Sequence, residues 1–181
     1  MCMQCFEHLP KFVLNGKEYI TWQDDEFCRV GFSDIPIIQD KNINKKVMSD
    51  EEIKKAKKKP FFVLHKVDVC IIDKRKDKAY TFTIKAGYDY DGASIPRLCW
   101  RIVGSKESIE FKIAALIHDI LCENHHYVNY DRYFADRVFE KLLEVGDVGA
   151  FRRWLMFHSV DNYQKFCGWN KDEGKGNEEC L

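Results

Sequence analysis

The first half of the chain alternates short apolar runs with turn residues, a pattern typical of β-strands. Asn15-Gly16 separates F-V-L from E-Y-I-T-W, and this dipeptide favours a tight hairpin turn. Residues 61–72 and 79–86 are two further runs on either side of a charged turn, and apolar and polar residues alternate along much of both. The pattern therefore predicts antiparallel hairpins with one buried face.

From residue 105 onward, the apolar residues follow the three- and four-residue spacing of helices. Residues 113–121, I-A-A-L-I-H-D-I-L, are apolar almost all the way round, which predicts that the helix over residues 106–122 is buried on every side. A second helix is predicted over residues 130–145, with Gly146 ending it, and a third over residues 148–166, with Asp147 capping its start. Since strands come first and helices follow, the predicted fold class is α+β, with an antiparallel β-rich N-terminal half packed against a C-terminal bundle of about three helices.

Residues 39–60 interrupt this pattern. Ser49 and Glu52 form a capping box, which predicts a short exposed helix, and lysine occupies five of the six positions 54–59. We interpret this segment as a lysine-rich surface insertion in a single domain spanning residues 1–169. Residues 170–181 are polar and are predicted to form a disordered tail.

Composition excludes some classes of function. The 29 basic residues balance the 29 acidic ones, so no global charge attracts nucleic acid or an anionic membrane. The lysine run lacks the aromatic residues and arginines of a nucleic-acid site, which favours a solvated helix face. No apolar run approaches the ~18 residues of a membrane span, and the first residues lack the pattern of a signal peptide. We therefore expect a cytosolic protein whose eight cysteines are mostly buried free thiols.

Two ionisable residues, His118 and Asp119, stand in the middle of the apolar helix. A buried polar group without a partner costs roughly 2–7 kcal/mol, and a bare charge costs more. Other polar groups of the fold must therefore face this pair. The sequence leaves open whether those groups form a scaffold or an active site.

The segment from Asp91 to Arg97, D-G-A-S-I-P-R, follows a predicted strand. Asp-Gly favours a tight turn, Ser94 can cap a short helix, and Pro96 is tolerated in the first turn of a helix. The same turn would present Asp91 and Ser94 rigidly toward the helical layer. The structural and the functional interpretation are compatible.

Three motifs occur in order along the chain: D-G-A-S-I-P-R at 91–97, H-D-I-L at 118–121 and R-Y-F-A-D-R-V-F at 132–139. Together they resemble a family of bacteria and phages known as domain of unknown function 1353, with the pattern D-x-A-S-I-P-R, H-D-x-L and R-x-x-A-D-x-x-F. Val160 and Gly168-Trp169 also match, whereas Cys122 replaces the tyrosine expected after H-D-x-L. The resemblance covers roughly residues 61–169 and implies a phage or prophage context, but no reaction.

We expect Asp91, Ser94, His118, Asp119 and Asp136 to converge as a candidate site. In a first hypothesis, His118 and Asp119, with Asp136 or Asp91, bind a divalent metal such as zinc or manganese. The metal would activate water, as in metal-dependent hydrolases.

Two other hypotheses use the same residues differently. Ser94, His118 and a carboxylate could form a nucleophilic triad, although the chain has no G-x-S-x-G elbow. Alternatively, the set is structural, with His118 or Asp119 bonded to Arg97, Arg132 or the turn at Ser94, because buried charges need such partners.

Two classes of function follow. The preferred hypothesis is a small metal-assisted hydrolase in which His118 and Asp119 are central, located in the bacterial cytoplasm or associated with the virion. The alternative is a non-enzymatic phage accessory or virion-associated module that binds a host or phage protein, with a structural His-Asp network. An open pocket over His118 would favour the enzyme. Trp154, Tyr163 and Trp169 exposed together on one face would favour binding.

Overall fold

The computed structural model describes residues 8–92, 109–125 and 127–169. The strands and one short helix occupy the first half of the chain and the other helices the second, so the predicted α+β class is confirmed. The predicted tail at 170–181 lies outside the described residues. The strands are β1 (Lys11–Leu14), β2 (Lys17–Asp24), β3 (Cys28–Phe32), β4 (Ile38–Asp40), β5 (Phe61–Val63), β6 (Val67–Asp73), β7 (Lys78–Ile84) and β8 (Asp89–Tyr90). The helices are α1 (Asp50–Lys58), α2 (Ile109–Asn124), α3 (Arg132–Val145) and α4 (Ala150–Tyr163), which continues as a π-helical turn, Gln164–Gly168.

The larger sheet has five strands in the order β1, β2, β3, β6 and β7, and each neighbouring pair is antiparallel. Asn15 and Gly16 form the β1–β2 turn with φ angles of 50° and 76°. A tight Asn-Gly hairpin turn needs positive φ at both residues, so the predicted turn has a local cause. One face of the sheet packs against the helices, where the rings of Tyr80 and Phe134 lie 5.6 Å apart.

The apolar run at residues 61–72 divides between two sheets. Strand β5 pairs with β4 and β8 in a three-stranded sheet, whereas β6 belongs to the larger one. Each part has its own buried side chains, Phe61 and Val63 in β5 and Val67 and Val69 in β6. The chain therefore changes sheets between them, at residues 64–66.

Helix α1 begins at the predicted capping box. The backbone N–H of Ser49 donates to the Glu52 carboxylate at 2.8 Å, and the N–H of Glu52 donates to Ser49 Oγ at 3.3 Å. Ala56 is the buried residue of this helix, so its lysines face solvent. The insertion is tied to the smaller sheet by Lys59, whose Nζ lies 3.3 Å from the Asp89 carboxylate.

The three C-terminal helices pack in chain order, α2 against α3 and α3 against α4. Helix α2 is buried nearly all round, as its apolar sequence predicts. Helix α3 begins at Asp131, whose carboxylate accepts the backbone N–H of Phe134 at 2.7 Å, and Gly146 ends it as predicted. Among the helices of the described ranges, none is long and apolar enough to cross a bilayer.

The predicted cap of the third helix by Asp147 is wrong. Gly149 is the N-cap of α4, and it makes no side-chain capping bond. Asp147 instead has a φ of 53° and donates its N–H to the carbonyl of Glu144 at 3.0 Å. It therefore belongs to the turn that ends α3.

Candidate functional site

His118 and Asp136 form a buried pair between α2 and α3. His118 Nε2 lies 2.9 Å from Asp136 Oδ1, and the two residues are 1% and 0% exposed. The imidazole also packs against the ring of Phe139, with 5.1 Å between centroids. The antiparallel packing of two helices thus brings together two residues that the sequence predicted to converge.

Arg132 extends this pair to a third helix. Its guanidinium lies 2.9 Å from Asp136 Oδ2, one turn along α3, and bonds both the carboxylate and the carbonyl of Asp161 in α4. We refer to His118, Asp136, Arg132 and Asp161 as the polar network. Both oxygens of Asp136 are bonded within it, so the buried carboxylate has an imidazole on one side and a cation on the other.

Asp119 follows His118 in the chain, but its carboxylate also lies near Tyr90 of the smaller sheet. Its Oδ1 lies 3.9 Å from His118 Nδ1, and its side chain is 16% exposed. Burial raises the pKa of Tyr90 well above its usual value, and the carboxylate of Asp119 raises it further. Asp119 therefore lies between the polar network and the smaller sheet. Its negative charge is close enough to Tyr90 to disfavour ionisation of the Tyr90 hydroxyl.

The Asp91-Gly92 turn follows directly after β8. Gly92 has a φ of 85°, and a Cβ at this position would lie 2.5 Å from the ring of Phe61. Both the positive φ and the close approach require glycine, which explains the predicted Asp-Gly turn. Asp91 is half-buried at this turn. Ser94 and Arg97 lie outside the described residues.

The predicted metal ligands do not form a coordination shell in the part of the chain that the structure describes. Within residues 8–92, 109–125 and 127–169, no group of three or more His, Cys, Asp or Glu side chains is placed to hold a metal ion. His118 Nε2 and both oxygens of Asp136 already have partners in the polar network. The metal site stays a prediction.

Cys122 lies one turn after His118 on α2. Its sulfur is 3.7 Å from Nε2 and 3.9 Å from Nδ1 of His118, so it sits beside the ring and not in line with either nitrogen. His125 directly follows α2. Its Nδ1 lies 2.7 Å from the carbonyl oxygen of Cys122, and its ring stacks on that of Trp169 with 3.8 Å between centroids. These contacts join the end of α2 to the π-helical turn.

Helix α4 is apolar on two opposite sides. Met156 and Val160 face the core and are buried. Phe151, Trp154, Leu155 and His158, at the spacing i, i+3, i+4 and i+7, follow the other side; we call these four residues the outer stripe. Phe151 is 67% exposed and Trp154 54% exposed, and their rings stack with 6.2 Å between centroids.

The condition that would favour binding, joint exposure of Trp154, Tyr163 and Trp169 on one face, is not met. Trp154 and Tyr163 are exposed, whereas Trp169 packs against the core and stacks on His125. Phe151 and Phe166 are exposed and were not part of the prediction. The signal for Phe151 was present in the sequence, because α4 has two apolar stripes where a surface helix has one.

A family model described as "Protein of unknown function (DUF1353)" matches residues 66–160. This match spans more than half of the 181 residues. The chain belongs to the DUF1353 family. No curated protein and no solved structure matches the chain.

The DUF1353 match contains the outer stripe and three of the four residues of the polar network, while Asp161 follows it directly and β1 to β5 and α1 precede it. It begins next to Val67, the first residue of β6, and ends at Val160, a buried residue of α4. The family description names no reaction, so the function has to be argued from the geometry.

Proposed function

We propose that this DUF1353 protein is a protein-binding module whose docking surface is the outer stripe of α4. The observation that carries the proposal is that α4 is apolar on two sides while only one side meets the core. A surface helix normally has one apolar stripe, which faces the core. The stripe therefore fits a surface that a second chain covers.

The composition of the outer stripe supports this function. Exposed apolar patches commonly mark interaction sites, and aromatic residues are enriched at the centres of interfaces. Trp154 stacks with Phe151 and meets His158 edge-on at 4.6 Å between centroids. The three rings thus present one continuous aromatic surface to a partner.

The spacing of the stripe favours a helix as the partner element. Residues at i, i+3, i+4 and i+7 form a ridge along a helix, and such a ridge packs into the groove of another helix. The partner would add a further helix to the layer formed by α2, α3 and α4. A host or phage protein, the partner named in the alternative hypothesis from the sequence, is the proposed source of that helix.

The metal-assisted hydrolase stays a prediction, and the surroundings of His118 give it less support. The imidazole is almost fully buried, and its Nε2 already bonds Asp136. Its test is the metal content of protein purified without an affinity tag, beside a His118→Ala, Asp119→Ala variant. Stoichiometric metal that is lost in a folded variant would support the hydrolase.

Photo-crosslinking tests the docking function. A photoreactive phenylalanine analogue replaces Trp154 in cells that naturally produce the protein, and the same analogue replaces Val13, an isolated exposed apolar residue, as the control. We expect a discrete protein adduct from position 154 and none from position 13. The identified partner is then purified, and its affinity for wild-type protein and for Trp154→Ala is measured by calorimetry.

Loss of a central aromatic side chain from an interface typically costs 2 kcal/mol or more, so we expect Trp154→Ala to weaken binding by about 30-fold. The far-UV circular dichroism of the variant should match that of wild type. Adducts that form equally at both positions, or an affinity that Trp154→Ala leaves unchanged, would overturn the proposal.

A further inference from the structure

We infer that the helix bound at the outer stripe carries acidic side chains beside its apolar anchors, an inference that rests on the proposed function. It follows from the charges along α4 and the π-helical turn. Four charged residues occur there. They differ in whether they already have a partner within the chain. Three are positive: Arg152, Arg153 and Lys165.

Two of these charged residues already have partners within the chain. Arg153 donates to the carbonyl of Val148 at 2.8 Å and lies 3.5 Å from the Glu144 carboxylate. Asp161 is bonded to Arg132 within the polar network. Since Arg153 and Asp161 are already bonded, we do not expect either of them to bind a charged group of a partner.

The other two charges are exposed cations. Arg152 follows Phe151 at the border of the outer stripe, and Lys165 lies over the ring of the exposed Phe166, 5.5 Å from its centroid. In the described structure, neither cation has an acidic partner within ion-pair distance. The charge that the stripe offers to a partner is therefore positive.

The α4 helix of a second copy, docked stripe against stripe, would not supply the complementary charge. The outer stripe of a second copy brings its own Arg152, while Asp161, the one acid of α4, is already bonded. Like charges brought together at an interface oppose binding, whereas an acidic flank would meet Arg152 favourably and speed association. The charges favour a different protein with an acidic amphipathic helix.

Two designed helical peptides of about 18 residues, roughly five turns, test the inference. Both have leucine at the i, i+3, i+4 and i+7 positions; one has glutamate and the other lysine at the flanking positions. Binding to the full chain is measured by fluorescence anisotropy of the labelled peptides. We expect the acidic peptide to bind about tenfold more tightly at low salt, with a smaller difference at high salt, because exposed ion pairs are weak and screened.

Charge-reversal variants locate the effect. Arg152→Glu should abolish or invert the preference for the acidic peptide, whereas Lys54→Glu, the same change on the exposed face of α1, should leave it intact. Equal binding of both peptides, or a preference that survives Arg152→Glu, would overturn the inference.

Two further measurements separate the alternatives. Residues 170–181 contain four acidic residues. If a chain ending at residue 169 binds the acidic peptide about tenfold more tightly than the full chain, the occupant is the chain's own tail and the inference fails. If position 154 crosslinks to a protein but the acidic peptide is not preferred, the charge inference fails alone. If position 154 gives no adduct and Trp154→Ala leaves peptide binding unchanged, the docking function fails as well.

Discussion

The polar network and the outer stripe of α4 both depart from the usual placement of charged residues outside and apolar residues inside. In the network, His118 and Asp136 are buried, and each has a partner from a neighbouring helix. In the stripe, Phe151 and Trp154 face solvent and stack on each other. A buried polar group relies on partners within its own chain. An exposed apolar group, in contrast, becomes buried only when a second chain covers it. Changes in the network should therefore damage the fold, and changes in the stripe should damage binding.

The largest effect is expected from Asp136→Ala. This change removes the buried carboxylate between His118 and Arg132, and breaking a buried charged pair typically costs about 3–5 kcal/mol. The free energy of unfolding, measured in urea at pH 7, should fall by this amount. Glu26→Ala, which removes an exposed carboxylate, should change it by less than about 0.5 kcal/mol. A loss below about 1 kcal/mol for Asp136→Ala would show that the network is not structural.

Features set by neighbouring residues could be predicted from the sequence. The Asn15-Gly16 turn, the capping box at Ser49 and the Asp91-Gly92 turn depend on the conformations open to a few adjacent residues. The order of strands and helices likewise follows from local periodicity. The Asn15-Gly16 turn, the capping box and the order of elements are present in the structure, and Gly92 has the positive φ that an Asp-Gly turn needs.

Features set by packing could not be predicted in the same way. The sequence predicted that His118 and Asp136 converge, but which atoms bond depends on the register of α2 against α3. Periodicity along α4 fits two stripes, one that contains Phe151 and one formed by Met156 and Val160 on the opposite side, and it does not tell which of them faces the core. The choice between the two stripes depends on the position of α3.

A smaller effect is expected for the coupling between paired residues. A double-mutant cycle of His118→Ala and Asp136→Ala should give a coupling free energy of about 1–3 kcal/mol, because the two side chains bond each other in a buried site. The same cycle for Phe151→Ala and Trp154→Ala should give less than about 0.5 kcal/mol, since water surrounds that pair. Urea unfolding of the four single and two double variants supplies both values. Equal coupling free energies for the two pairs would contradict the distinction between the polar network and the outer stripe.

Asp131→Ala should have a moderate effect that depends on pH. Burial raises the pKa of Asp131, but hydrogen bonds from the Phe134 N–H and the Lys76 ammonium lower it more, so the pKa lies below its usual value. A carboxylate with a lowered pKa stabilises the fold above its unfolded pKa of about 3.9, and this contribution is lost as the pH falls through the folded pKa. We expect a loss of about 1 kcal/mol at pH 7 that shrinks below about pH 4.

The control for this prediction is Asp131→Asn, which keeps a capping oxygen at every pH. Its stability relative to Asp131→Ala should not vary between pH 3 and pH 7. Binding at the outer stripe should be unaffected by either variant, because Asp131 is the N-cap of α3 and its carboxylate bonds Phe134 and Lys76, which both lie outside α4. A pH-independent loss for Asp131→Ala would contradict the assigned hydrogen bonds.

The smallest effect on stability is expected from Trp154→Ala. Trp154 and Met156 lie two residues apart on the same helix, but Trp154 is 54% exposed and Met156 is buried. Trp154→Ala should therefore change the free energy of unfolding by less than about 0.5 kcal/mol, whereas Met156→Ala should lower it by about 2–5 kcal/mol, because a buried methionine leaves a cavity. Urea unfolding of both variants makes the comparison directly. If Trp154→Ala costs as much as Met156→Ala, the outer stripe is already covered by this chain, and it is part of the fold and not a docking surface.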